Sequence, residues 1–495
     1  MSATDDAAPA GPHTAVSAAA DVQPAGTMPA GVLPAGTVPS GRSAISAPIP
    51  LSNRLLAKPF IDRLCLWGFR WLLPASHAWA VAAEANGNVD AFTDALQVRQ
   101  ISAKLPAALR QTAALKQAAD LACTHWSDAA FSSGDAVSAE ALSDLELNRR
   151  RAAQAFSAQR RAYLWFAHKH RLPAVPYQIP QPDAALAPFL RDPSAIRRLF
   201  TVPQTLPPVE ISHRGVVRGV AEYWLRFRSP AAPDVLGAGG NTVWVHVYEP
   251  LQAPAAMPSL IWAHGLSMEL EMMEAGPLDF ISLARAGIRV LMPDGPGHNR
   301  RVQPGFYGGE SFLRSAPISG LHHFSQAAGE FATLIDWCRT SGSAQVALGG
   351  ISLGALSTQV TACHMKDWPA NCRPDSLLLL TTTDRVSELV TDSALGKVAD
   401  VDRAARAAGW REAHVKALAA ITDAGPQSPI DPARIVLLLG RRDNVTPYAG
   451  GLRLARHWQL PAENIFTRDQ GHFSAAFGLA VDPAPYRRII EILKG

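Results

Sequence analysis

Residues 345–355 read Gln-Val-Ala-Leu-Gly-Gly-Ile-Ser-Leu-Gly-Ala and contain the pentapeptide Gly350-Ile351-Ser352-Leu353-Gly354. The apolar run before the pentapeptide predicts a buried strand, and the segment after it predicts a helix that starts near Ala355. A serine on a sharp strand-to-helix turn is held in strained backbone geometry that pushes its hydroxyl out of the sheet. Glycines two residues to either side remove side chains that would clash. The stretch therefore predicts a nucleophile elbow with Ser352 as the nucleophile.

The elbow serine needs two partners further along the chain. A serine hydroxyl is a weak nucleophile near neutral pH, so it needs a base to take its proton and a carboxylate to orient that base. Asp443 follows the strand-like run 435–439, and His472 follows the strand-like run 464–467. We therefore predict His472 as general base and Asp443 as the acid. Asp384, which follows the strand-like run 376–380, is the second-choice acid.

Two backbone N–H groups are candidates for stabilising the oxyanion that forms when a serine attacks an acyl carbon. One donor normally belongs to the residue after the nucleophile, here Leu353, and the other follows an earlier strand. The triplet His264-Gly265-Leu266 ends the strand-like run 259–263, so Leu266 is the predicted second donor. We expect His264 to be a structural hydrogen-bonding residue.

The sequence pattern changes near residue 206, where short β-type runs separated by helix-sized segments begin. This pattern predicts an α/β domain over 206–495. The runs 222–227 and 243–248 alternate in polarity and predict antiparallel edge strands. The later runs are continuously apolar and predict buried parallel strands; they lie at 259–263, 288–292, 346–348, 376–380, 435–439 and 464–467.

The chain resembles the α/β-hydrolase superfamily. The octapeptide Pro-Asp-Gly-Pro-Gly-His-Asn-Arg at 293–300 is similar to the turn that many of these proteins carry after their fourth strand, and the order Ser352, Asp443, His472 is theirs. The segments 349–354, 381–384 and 471–475 resemble a poorly characterised group of α/β-hydrolase-domain proteins with long N-terminal extensions. The resemblance covers 206–495. It implies a mostly parallel central sheet with helices on both faces.

The N-terminal part of the chain divides into a tail and a helical region. Residues 1–50 are rich in Ala, Pro, Gly, Ser and Thr, and we predict a disordered tail. Residues 51–205 carry apolar side chains at helical spacing, which predicts four to six helices. Within this region, 59–74 is apolar enough either to pack on the catalytic domain or to make peripheral membrane contact. The basic and aromatic residues of 149–171 are typical of a solvated helix face, with phosphate binding as the alternative.

A further helical segment, 404–420, lies within a predicted cap over 384–430. A cap of this kind shapes the entrance to the substrate pocket. Met268, Met272 and Met273 are candidates for an apolar acyl pocket or for ordinary packing.

Composition excludes several classes of partner. The formal charge of +4 is spread over 495 residues, so we expect no nucleic acid partner. The five cysteines are widely spaced, which disfavours a disulfide framework and a zinc site, and the predicted chemistry needs no metal or cofactor. No signal peptide or apolar run long enough to cross a bilayer is evident, so we expect a cytoplasmic protein.

These features predict a serine hydrolase that cleaves a carboxylic ester, with an apolar or acyl-chain substrate, through an acyl-enzyme. Thioesterase, amidase or peptidase, and acyltransferase activities use the same three residues and stay open. The alternative from another class is a catalytically inactive hydrolase-like module that binds a partner or a membrane. The sequence leaves the oligomeric state undetermined.

Overall fold

The computed structural model describes residues 51–133, 137–192, 194–231, 240–252, 254, 256–268 and 279–495. These residues belong to one compact unit, Ile49–Gly495. The tail predicted at 1–50 and the candidate residues Met272 and Met273 lie outside the described ranges.

In the described ranges, ten strands form one mixed sheet in the order β1-β3-β4-β6-β5-β7-β8-β9-β10, with β2 paired to β3. Their bounds are β1 Glu210–Ile211, β2 Gly215–Val217, β3 Val220–Arg228, β4 Thr242–Pro250, β5 Ser259–Ala263, β6 Arg289–Pro293, β7 Val346–Ile351, β8 Ser376–Leu380, β9 Ile435–Gly440 and β10 Ile465–Arg468. The strands from β6 to β10 along this order are parallel, whereas β1 to β4 pair antiparallel and β4 joins β6 antiparallel. All eight predicted strands are present, and β1 and β2 are additional because they are too short to show a pattern.

The parallel strands are continuously apolar because both faces of the sheet are covered. In β5, Ile261 lies in the core on one face, and Leu260 and Trp262 lie in the core on the other. The same alternation runs through β7, β8 and β9. This sheet, with helices on both faces and the elbow serine at the end of a central parallel strand, is the α/β-hydrolase fold, so the predicted fold class is confirmed.

Eight α-helices precede the sheet in the described residues of 51–205, more than the four to six predicted. They are α1 Leu51–Leu56, α2 Phe60–Glu84, α3 Val89–Leu96, α4 Leu105–Ala130, α5 Ala139–Ala158, α6 Leu164–Lys169, α7 Pro182–Arg191 and α8 Ser194–Leu199. The shorter ones, of six to ten residues, complete fewer than three turns, so their apolar spacing is hard to recognise. Among the helices of the described ranges, none is both long and apolar enough to cross a bilayer.

Eleven α-helices follow in the described part of the catalytic region. They are α9 Phe280–Arg285, α10 Glu310–Arg314, α11 Ile318–Thr340, α12 Leu353–His364, α13 Leu389–Asp392, α14 Ala394–Ala399, α15 Val401–Ala407, α16 Glu412–Thr422, α17 Tyr448–His457, α18 His472–Phe477 and α19 Ala484–Lys494. Helices α11, α12 and α17 cover one face of the sheet, and α9 and α19 cover the other. Short 3₁₀ turns lie at Gln159–Tyr163, Asn299–Arg301, Met365–Asp367, Ala370–Cys372, Pro432–Arg434, Ala462–Asn464 and Gly478–Ala480.

The segment predicted as one helix at 404–420 forms two, α15 and α16, separated at Gly409. That glycine has a φ of 94°, which ends α15 in the left-handed conformation that favours glycine. Trp410 and Leu418 are buried in the main core, so these helices are part of the domain's packing. The role of 384–430 as a cap stays a prediction.

The prediction that the basic residues of 149–171 form a solvated face is wrong for Arg149 on α5, whereas Arg151 on the same helix is exposed. Arg149 is only 3% exposed and lies 5.0 Å from the ring of Trp126 and 5.6 Å from that of Trp224. Glu146 accepts hydrogen bonds of 2.7 Å from Arg149, which keeps the buried guanidinium paired. The arginine therefore attaches α4 and α5 to the edge of the sheet.

The turn between β7 and α12 is packed against the end of β5, and this contact explains two glycines of the pentapeptide. A methyl group added at Gly350 would lie 2.6 Å from the carbonyl oxygen of Ala263, and one added at Gly354 would lie 2.1 Å from that atom. Both distances are far below a van der Waals contact, and the opposing atom is backbone that cannot rotate away. The close approach of β5 to the elbow therefore requires glycine at both positions.

We predict that Gly354→Ala lowers the free energy of unfolding by at least about 2 kcal/mol, because the added methyl forces the elbow away from β5. Chemical denaturation followed by tryptophan fluorescence measures the change. Gly425→Ala is the matched control, since a methyl group there meets nothing within 4 Å. Equal stability of the two variants would contradict the packing argument.

Candidate active site

Ser352 stands on the turn between β7 and α12 with a backbone conformation that is rare for a residue with a side chain. Its φ is 54° and its ψ is −120°. The turn is held on both sides, because the N–H of Ser352 donates to the carbonyl of Leu380 at 3.0 Å and the N–H of Leu356 donates to the carbonyl of Ser352 at 2.9 Å. The hydroxyl points away from the sheet, and the residue is partly exposed.

The structure brings the hydroxyl of Ser352 and the side chains of His472 and Asp443 together in one chain of hydrogen bonds. The Oγ atom of Ser352 lies 2.8 Å from Nε2 of His472, and Nδ1 of His472 lies 2.8 Å from Oδ2 of Asp443. The imidazole is 5% exposed and Asp443 is 7% exposed. With Nδ1 donating to the carboxylate, Nε2 is free to accept the serine proton.

The carboxylate of Asp443 is fixed by its own loop. Its Oδ1 atom accepts the N–H groups of Val445 and Thr446, both at 2.9 Å. The hydroxyl of Thr446 donates to Oδ2 at 3.0 Å, and its oxygen lies 3.1 Å from Nδ1 of His472. Donors on both oxygens fix the carboxylate with Oδ2 directed at the imidazole.

Asp384, the second-choice acid, has a different partner. Its two carboxylate oxygens each accept a hydrogen bond of 2.9 Å from Arg453 on α17. The side chain is buried, and its described contacts do not include His472. Asp384 therefore joins the end of β8 to α17 through an ion pair.

The two predicted oxyanion donors lie on either side of the elbow. Leu353 is the first residue of α12, where N–H groups lack an intrahelical partner. Leu266 follows Gly265, at which an added methyl group would lie 3.3 Å from Cβ of Ser352. Within the described residues, neither of the two N–H groups has a hydrogen-bond partner. Their role as oxyanion donors stays a prediction.

Two buried histidines support the loop that carries Leu266. His264 donates from Nδ1 to the carbonyl of Gly265 and accepts the N–H of Gly295 at Nε2, both at 2.9 Å, as expected for a structural histidine. His298 accepts the N–H of Ser267 at Nε2 at 3.1 Å. Burial lowers the pKa of His264 to about 4 and that of His298 well below its usual value. Both rings are therefore neutral near pH 7, which leaves Nε2 able to accept.

Three residues at the site were not predicted from the sequence. They are Thr446 in the loop after β9, His298 in the octapeptide 293–300, and Asp62 in the apolar segment 59–74. The carboxylate of Asp62 contacts the backbone beside His472. The feature of the sequence that points to Asp62 is an acidic residue within an otherwise apolar helix, because such a residue needs a partner when it is buried.

Other groups in the described residues do not assemble a metal site. No cluster of three or more His, Cys, Asp or Glu side chains in the described ranges is arranged to hold a metal ion. All five cysteines are free thiols, of which Cys338 and Cys372 are buried. Burial raises the pKa of Cys338 to about 12, so this thiol stays protonated.

Comparison with known proteins finds no family model and no curated protein that matches the chain. Solved structures with related folds include an acetyl xylan esterase from Paenibacillus sp. R4, with 17% identity, 64% of this chain and 96% of that chain covered, and a TM-score of 0.42. A cold-adapted esterase from an Arctic intertidal metagenomic library has 15% identity over 56% of this chain and 96% of its own, with a TM-score of 0.36. Brefeldin A esterase, a bacterial homologue of human hormone sensitive lipase, has 15% identity over 63% and 83%, with a TM-score of 0.34. Similarity this low carries no information about the activity of this chain.

We predict that Asp443→Asn slows the reaction of Ser352 with a fluorophosphonate by about 10³- to 10⁴-fold, because the amide no longer holds the productive tautomer of His472. Asp384→Asn loses the ion pair with Arg453, so we expect a lower denaturation midpoint with a reaction rate close to that of the wild type. The second-order rate constant of labelling measures both. A larger loss of reactivity in Asp384→Asn than in Asp443→Asn would reverse the assignment.

Proposed function

We propose that this protein is a serine hydrolase that cleaves a carboxylic ester through an acyl-enzyme. One observation supports the proposal above the rest: the hydroxyl of Ser352, the imidazole of His472 and the carboxylate of Asp443 are connected by two hydrogen bonds of 2.8 Å. A buried, oriented imidazole beside a serine on a strained turn is the arrangement that activates an alcohol for attack on an acyl group.

In the first half of the reaction, His472 accepts the proton of Ser352 at Nε2 while Oγ attacks the carbonyl carbon of the ester. The negative charge that develops on the carbonyl oxygen is stabilised by the N–H groups of Leu353 and Leu266. Asp443 stabilises the imidazolium that forms. The proton on Nε2 then passes to the alcohol oxygen as the ester bond breaks, which leaves the acyl group on Ser352.

In the second half, a water molecule takes the place of the alcohol. His472 accepts a proton from the water, whose oxygen attacks the acyl carbon, and the same two N–H groups stabilise the second oxyanion. The proton then returns from Nε2 to Oγ of Ser352 as the acid leaves. No metal or organic cofactor takes part in these steps.

The surroundings of Ser352 favour an acyl group with apolar character. Leu266 and Phe312 each pack against the same two hydrophobic clusters, and the sulfur of Met268 lies 3.1 Å from the backbone nitrogen of Gly265. Thioesters, amides and transfer to an acceptor alcohol remain alternatives, because all of them use the same three residues. Apolar neighbours of this kind support an acyl-chain ester rather than a peptide with charged side chains as the substrate.

Labelling with a fluorophosphonate, followed by hydrolysis of matched substrates, tests the proposal. We expect wild-type protein to be labelled on Ser352, and Ser352→Ala to be unlabelled with turnover lowered by about 10⁴-fold or more. A panel with one acyl chain presented as ester, thioester and anilide, and a second panel of esters of increasing chain length, identify the leaving group and the acyl length. Native protein that is not labelled would support the inactive binding module instead.

We also propose that the first turns of α2 make peripheral contact with a membrane. Phe60, Leu64 and Trp67 lie on one face of this helix at spacings of four and three residues, and each is more than half exposed. Arg63 and Arg70 lie beside them in the sequence. An apolar stripe flanked by arginines fits the interface of a bilayer with anionic lipids.

Cosedimentation with vesicles of phosphatidylcholine and phosphatidylglycerol tests this contact. We predict that Leu64→Ser with Trp67→Ala weakens vesicle binding by about tenfold or more, because two apolar groups no longer enter the interface. Leu121→Ser with Leu190→Ser is the control, since both leucines are exposed on other helices. Binding of the first double variant at the level of wild type would contradict the proposal.

A further inference from the structure

The helix that carries His472 lacks a local cap. Helix α18 begins at His472, so its N-cap residue is Gly471, which has no side chain to accept the first N–H groups of the helix. Ser474 supplies one local acceptor, because its hydroxyl oxygen accepts the N–H of Gly471 at 2.9 Å. The N–H groups of Phe473 and Ser474 need an acceptor from elsewhere.

That acceptor is Asp62 on α2, 409 residues before Gly471 in the chain. Its Oδ1 accepts the N–H of Phe473 at 2.7 Å and that of Ser474 at 3.2 Å, and its Oδ2 accepts the N–H of Gly471 at 3.2 Å. Oδ2 also accepts the hydroxyl of Ser474. The carboxylate therefore binds the backbone on both sides of His472, and it is only 9% exposed.

Gly471 and Asp62 fit one another. A methyl group at position 471 would lie 2.4 Å from Cγ of Asp62 and 2.6 and 2.7 Å from its two carboxylate oxygens. A residue with a side chain at the N-cap would displace the carboxylate. The carboxylate of Asp62 can therefore reach the start of α18 because residue 471 has no side chain.

Further contacts hold α2 against this loop. The ring of Phe69 lies 5.6 Å from that of Phe473, and the side-chain amide of Gln470 donates to the carbonyl of Ala57. Ile61, next to Asp62, is buried. Asp62 is therefore supplied by a packed helix with little freedom to move, as a precise contact requires.

We propose that Asp62 is a positioning residue for His472, through which the N-terminal helical region completes the active site. The inference rests on the proposed function of Ser352 and His472. The carboxylate fixes the backbone from Gly471 to Ser474, and this keeps Nε2 within 2.8 Å of Oγ of Ser352.

Asp62→Asn is the decisive variant, because it keeps the size of the side chain, removes the charge and turns one acceptor into a donor facing backbone N–H groups. We expect kcat for ester hydrolysis and the rate of fluorophosphonate labelling to fall by about 10- to 100-fold with KM little changed. Asp62→Glu keeps the two acceptor oxygens, so we expect its rate to be partly restored.

Asp423→Asn is the matched control. Asp423 also accepts an N–H and a hydroxyl from one distant serine, Ser387, both at 2.8 Å. We expect this variant to lower the denaturation midpoint while kcat and the labelling rate stay as in the wild type. An Asp62→Asn protein that behaves in the same way would overturn the inference, because Asp62 would then contribute only stability. Wild-type protein that is not labelled on Ser352 would overturn the proposed function as well, so the two failures are distinguishable.

A second set of variants covers the case in which Asp62→Asn does not fold. Ser474→Ala removes one hydrogen bond to Asp62 and the acceptor for Gly471, and we expect labelling several-fold slower than in the wild type. Gly471→Ala should slow labelling strongly in the wild type and much less in an Asp62→Ala background, because the methyl group then has room. Wild-type labelling in Ser474→Ala, or losses that simply add in the double variant, would contradict the role of Asp62.

Discussion

The strained backbone of Ser352 is the constraint on which the rest of the structure depends. A φ of 54° at a residue with a side chain persists only where the surroundings leave no alternative, and here β5 supplies them. The carbonyl of Ala263 lies so close to Gly350 and Gly354 that the turn between β7 and α12 has no room to relax. The same contact brings the loop after β5, with Gly265 and Leu266, beside the serine. The packing of β5 on this turn therefore also positions the loop that carries Leu266, the predicted second oxyanion donor.

The surroundings of the side chains around this turn determine what each can do. Asp443 is fixed because backbone and hydroxyl donors bind both of its oxygens. His264 and His298 stay neutral because they are buried, and each accepts one backbone N–H of a loop near the elbow. His472 is the imidazole placed between a carboxylate and a hydroxyl. The proposed chemistry follows from this difference between the three histidines.

The sequence predicted those parts of the molecule that local patterns encode. The apolar runs predicted the parallel strands, and the glycine spacing predicted the elbow at Ser352. Asp443 and Asp384 both follow strands, so their sequence contexts are alike. Their tertiary contacts tell them apart, because Asp443 binds His472 and Asp384 binds Arg453. The burial of Arg149 likewise depends on Trp224, a residue far away in the chain. The contact of Asp62 with the backbone beside His472 spans the whole catalytic region, and no local pattern can record it.

The structure of the protein after reaction with a p-nitrophenyl alkylphosphonate tests the central claim most directly. The account predicts a phosphorus atom bonded to Oγ of Ser352, with the phosphoryl oxygen within about 2.7–3.1 Å of the backbone nitrogens of Leu353 and Leu266. It also predicts that Nε2 of His472 stays within hydrogen-bonding distance of Oγ. A phosphonate bound to any other residue, or a phosphoryl oxygen directed away from both N–H groups, would contradict it.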